Sequence, residues 1–280
     1  MTDERKPLSP EDYAEPRCLL EGEPWGAPRK IHPIPQQRVM DKLDEYMSRR
    51  DYDGAQRHLL YWLEEARQGR DRRGELLVLG ELVGHYRKSG MEKEAFSSCE
   101  QLLQLVEALE MEDRPSGATA YVNAATAYSA FGRDEEALAL FRKARAVYEA
   151  EPGTDPALLG GLYNNMALSC QSLGRFAECH SLYEKALSEM TKVPGGELEQ
   201  AITCLNMADA RALERGEEAC REEIASLLGR AYGLLQGTSA PRDGYYAFVC
   251  EKCAPGFAHY GYDAEAAELE RAAKEIYERP

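Results

Sequence analysis

The chain has 280 residues, 44% of them hydrophobic, and sets 49 acids against 34 bases for a formal net charge of −15. That balance argues against nucleic acid as a partner, because binding phosphate takes a stripe of Lys and Arg. No apolar run approaches the length of a membrane span, and the opening MTDERKPLSPEDY lacks the apolar core of a secretory signal, so a soluble, cytoplasmic protein that does not engage membrane is expected.

In chain order, residues 1–35 come first and hold half of the 14 prolines, around LLEGEPWGAPRKIHPIP. Such a stretch cannot be helical and is expected to be extended. Two roles are open: a strap packing Leu19, Leu20, Trp25 and Ile31 over the first repeat as a cap, or a pseudo-ligand lying in the protein's own groove. From residue 36 the pattern turns helical. Tyr46, Tyr52, Ala55, Leu59 and Leu63 mark a first unit at about 36–69. Three segments then superimpose almost residue by residue: LGELVGHYRKSGMEKEAFSSCEQL, YVNAATAYSAFGRDEEALALFRKA and YNNMALSCQSLGRFAECHSLYEKA. In them Ala95, Ala137 and Cys179 recur at intervals of 42 residues, each just after a glycine (Gly90, Gly132, Gly174) that stops a helix. A weaker copy keeps Asn-Met-Ala at 206–208 and Cys220, and a last one keeps Gly261, Ala266 and Ala273. The expected array is therefore six helical hairpins over 36–280, at about 36–69, 75–111, 117–151, 157–192, 198–236 and 244–279.

The large apolar residue, Leu-Gly, Tyr, Ala, Phe and Ala at set offsets resemble the tetratricopeptide repeat. The 42-residue period with its Asn-Asn-Met-Ala-Leu run is similar to the kinesin light chain type of repeat and its bacterial relatives. This likeness implies an all-α fold, a right-handed α-solenoid of about six helical hairpins, and a protein-binding scaffold. It leaves the partner open, since one scaffold serves many unrelated functions.

Repeat register assigns the cysteines. Cys99, Cys170, Cys179, Cys204, Cys220, Cys250 and Cys253 all fall on core positions and are expected to be buried small hydrophobes. Cys250-Glu-Lys-Cys253 has metal-like spacing but no second pair, so no metal or other cofactor is expected. Cys18 lies outside the array. The five histidines, His32, His58, His85, His180 and His259, are scattered, and no G-x-S-x-G, phosphate-binding loop, H-E-x-x-H or dinucleotide fingerprint occurs. The chain is expected not to be an enzyme.

What remains is the face of the first helix in each hairpin, which in stacked hairpins lines the inner, concave groove. Asn123, Asn165 and Asn206 occupy one register position in three successive repeats, a ladder of amides. An amide both donates and accepts, so it can pair with the backbone of an extended peptide whatever its side chains. In the repeats that this chain resembles, asparagines on this helix clamp bound peptides. The other open reading is that these amides bridge neighbouring repeats or face water. Asn164, Thr126, Ser129, Leu168, Gln171 and Asp209 are expected on or near the same face, with Glu81, Arg87 and Lys88 in the second unit. The scarcity of bases disfavours recognition of a free C-terminal carboxylate and suits an internal segment. The expected function is a non-catalytic scaffold holding a partner's extended peptide. The alternative is a signal-responsive regulator that senses a peptide or effector and acts through a separate output partner. At the C-terminus, Pro255 is expected to shorten or kink its helix, and the last helix to leave Ala266, Leu269, Ala273 and Ile276 partly uncovered as a homodimer contact.

Overall fold

The computed structural model describes residues 30–278, and among these it shows twelve α-helices and no strand. The helices are α1 (Gln36–Ser48), α2 (Tyr52–Gln68), α3 (Arg72–Lys88), α4 (Glu92–Ala108), α5 (Pro115–Ala130), α6 (Asp134–Ala150), α7 (Pro156–Ser172), α8 (Phe176–Met190), α9 (Glu197–Arg215), α10 (Arg221–Gly237), α11 (Gly244–His259) and α12 (Asp263–Tyr277). The all-α repeat architecture expected from the sequence is thus observed. The described residues form two compact units, divided between Leu105 and Val106.

In the first unit, Asp51 and Asp71 start α2 and α3 in the same way. Each carboxylate accepts the N–H of the residue three places on, Gly54 at 2.8 Å and Gly74 at 3.0 Å, satisfying a helix-end donor. The second oxygen of Asp71 accepts the Ile34 N–H at 2.9 Å, and the Gly69 carbonyl accepts that of His32 at 2.8 Å. Residues 30–35 are thereby fastened along the α2–α3 connection. Of the four apolar residues expected in the strap, Leu19, Leu20 and Trp25 lie outside the described residues, as does Cys18. Ile31 is exposed, and Ile34 is the buried one, because only its side of the segment faces the helices. His58 is buried, with Nε2 2.9 Å from the Val39 carbonyl, so it ties α2 to α1 as a packing residue.

In the second unit, α5–α6, α7–α8, α9–α10 and α11–α12 are hairpins, α6 packs on α7 and α8 on α9, and the first helices α5, α7, α9 and α11 touch in sequence. Small residues permit this closeness: Ala124, Ala125, Ala167, Ala208, Ala137 and Cys179 are fully buried, while Phe141 and Tyr183 fill the space between helices. Across both units the recurring turn glycines adopt left-handed backbone, with φ of 69° at Gly90, 78° at Gly132 and 69° at Gly174. A side chain there would be strained, which explains why glycine returns with the repeat.

Two expectations for the C-terminal hairpin fail. Pro255 sits inside α11, yet the helix runs its full 16 residues from Gly244 to His259 and is not shortened. Ala266, Leu269 and Ala273 are buried, and Ile276 is partly covered. The opposite side of α12 carries Glu270, Arg271, Lys274 and Glu275, all exposed, so this helix supplies its own polar outer face. The residues on which a homodimer contact was expected are therefore covered, Ile276 only in part.

Candidate functional site

The first-helix face of the second unit brings together most of the residues singled out from the sequence. Asn123 and Thr126 stand on α5, Asn164, Asn165 and Leu168 on α7, and Asn206 and Asp209 on α9, all half-buried. At the α7–α9 junction, Asn164 Oδ1 accepts Asn206 Nδ2 at 3.1 Å and Thr203 Oγ1 at 3.2 Å. One donor of Asn206 is thus engaged in joining repeats, leaving its second N–H and its carbonyl. Asn123 and Asn165 make no side-chain hydrogen bond among the described residues. Asparagine is a poor residue for a helix interior, and here two amides stand mid-helix with no protein partner among the described residues.

Their neighbours are engaged locally. Thr126 donates back to the Val122 carbonyl at 2.7 Å. Ser169 donates to Ser129 at 2.9 Å, and Ser129 to the buried Asp134 at 2.6 Å, a rung that locks α7 to the α5–α6 turn. Gln171 accepts the Tyr183 hydroxyl at 2.9 Å, and Asp209 that of Tyr260 at 2.8 Å. Ser129 and Gln171 therefore act first as structural links. In the first unit, Glu81 and Arg87 are half-buried and Lys88 is exposed. Burial raises the Glu81 carboxyl above its ordinary range and lowers the Arg87 guanidinium below its own.

Sequence reasoning missed the α11 side of the face. Tyr245 and Phe248 are exposed and stacked, with ring centroids 6.2 Å apart, and Tyr245 donates to Glu199 on α9. Lys252 falls in the same register as the amide ladder, so the spacing could have found it. Among the described residues no group of three side chains is arranged to hold a metal, and Cys250 and Cys253 are buried free thiols. All seven cysteines of the array are buried, as their register implied, and none of them is in a disulfide. Burial pushes Cys99, Cys170 and Cys253 up to about 12, so they are neutral thiols at physiological pH. No helix among the described residues is long and apolar enough to cross a membrane.

Stacked hairpins with direct contacts between first helices define a class of fold, the helical-repeat α-solenoid. Residues 74–150, spanning most of α3 through α6, match the family model of the tetratricopeptide repeat. Among solved structures, BtubC (BKLC) from P. vanneervenii is 18% identical over 87% of this chain and 91% of its own, with a TM-score of 0.50. A variant of the nearly identical TPR-like repeats of a Podosopora anserina kinesin light chain is 19% identical over 72% of this chain and 93% of its own, also at 0.50. At such identities the likeness is one of fold. No curated protein sequence matches the chain.

Proposed function

We propose that this protein is a non-catalytic scaffold that seats an extended segment of a partner protein across α5, α7 and α9. The observation carrying this reading is the pair of unengaged amides, Asn123 and Asn165, at one register position on adjacent helices, with the partly engaged Asn206 on the next. An amide with no protein partner adds little to the fold, whereas a peptide backbone offers each a donor and an acceptor. If each amide contributes about 0.5–1.5 kcal/mol net, the three supply about ten- to a thousandfold in affinity.

Affinity capture from lysate with the wild type and with Asn123→Ala/Asn165→Ala/Asn206→Ala, both confirmed as folded by circular dichroism, tests this. A partner retained by the first is expected to be lost by the second. Equal capture by both would move the binding site off this face.

A further inference from the structure

Glu199, Thr203, Asn206 and Asp209 fall at i, i+4, i+7 and i+10 on α9 and so share one stripe. At the helical rise, Glu199 stands about 10 Å to one side of Asn206 and Asp209 about 5 Å to the other. Both carboxylates are half-buried. Each accepts a tyrosine hydroxyl, from Tyr245 and Tyr260 respectively. Neither has an ion-pair partner among the described residues. Lys252 lies near enough to Glu199, and His259 near enough to Asp209, to favour the charged forms, but neither reaches them, and His259 is held by Glu217 at 3.1 Å.

Removing a carboxylate from water without a cation is unfavourable. Burial accordingly raises both acids above their ordinary range. Elsewhere on the face, the α5 and α7 residues Asn123, Thr126, Asn164, Asn165 and Leu168 are uncharged. Beside Glu199 the exposed, stacked rings of Tyr245 and Phe248 add π faces, which attract guanidinium and ammonium groups. The face thus has an unmet demand for positive charge on both flanks of its α9 rung.

An extended chain turns successive side chains to opposite sides. A segment whose backbone lies on the amide line therefore directs one side chain toward Glu199 and the next toward Asp209. We propose that the partner segment carries two basic residues at adjacent positions, one pairing with Glu199 and the other with Asp209. This inference rests on the reading of the face as a peptide groove.

The test is selection of displayed random linear peptides on the full-length wild type, on Glu199→Gln/Asp209→Asn and on Asn123→Ala/Asn165→Ala. Gln and Asn keep an oxygen for the two tyrosine hydroxyls, and circular dichroism with thermal melting checks that every variant folds. The carboxylate variant is expected to melt no lower than the wild type at neutral pH. A raised acid makes the native state bind more protons than the unfolded chain, so its charged form subtracts stability above the unfolded pKa, and a neutral side chain removes that cost. Peptides enriched on the wild type are expected to carry adjacent Lys or Arg. They should bind about tenfold or more weakly to the carboxylate variant, the loss expected for a charge-assisted bond. Wild-type enrichment of peptides lacking such a pair, lost on the amide variant, would overturn the basic-pair inference and leave the groove reading standing. Basic peptides held equally by the carboxylate variant would overturn it as well. Basic peptides lost from the carboxylate variant but held by the amide variant would overturn the placement on the amide line, and no enrichment on the wild type would overturn both readings.

Discussion

Alanine at Gly117 is expected to destabilise the second unit by about 3 kcal/mol or more, the upper range for overpacking. Helix propensity alone gives the opposite sign, since alanine is favoured over glycine by about 1 kcal/mol within a helix. Sterics decide here. A Cβ at Gly117, in the first turn of α5, would sit 1.9 Å from the Met111 carbonyl oxygen and 2.8 Å from its carbon. These are backbone atoms of the α4–α5 connection, and the same carbonyl accepts the Arg114 N–H at 3.0 Å, so the chain cannot step aside cheaply. Gly233→Ala on the exposed side of α10, where a Cβ meets nothing within 4 Å, is the matched control and should be neutral or stabilising. Urea midpoints of the two variants check this, and a Gly117→Ala midpoint at or above that of the wild type would contradict it.

Phe141→Ala should cost about 3–5 kcal/mol, the range for removing a fully buried aromatic ring. Phe141 has no exposure and lies on α6, which packs both on α5 within its hairpin and on α7 of the next. In a repeat array stability is close to a sum of repeat and nearest-neighbour terms, so one cavity that weakens both terms is felt beyond its own hairpin. The expected readout is an early loss of helical ellipticity on urea denaturation, with a broadened transition as α5–α8 uncouple from the rest. A sharp transition at the wild-type midpoint would show that the core tolerates the void.

The hairpins were legible because the core of a repeat is built from few residue types at fixed spacing. Ala95, Ala137 and Cys179 must be small where helices cross, and Gly90, Gly132 and Gly174 must reach left-handed backbone, so both recur every 42 residues. The cysteines followed from the same register. The division of labour on the binding face was not legible, because it depends on rotamers and partners in the neighbouring repeat. Asn206 and Asn165 are alike in sequence, yet Asn206 joins Thr203 on Asn164 while Asn165 stays unengaged. The α11 residues that frame Glu199 were overlooked because the last repeat departs most from the pattern. At α12 the expectation of an uncovered face failed because one amphipathic helix covers the core with one side and meets solvent with the other.

In the proposed complex Asn123 and Asn165 meet the partner's backbone. Side-chain amide resonances of these residues, assigned by single substitution in the full-length chain, report on it directly when the captured partner segment is titrated in. Both are expected to shift on binding while the exposed amide of Gln68 on α2 stays in place. Unchanged Asn123 and Asn165 resonances, with the shifts gathered instead on α6, α8 and α10, would contradict it.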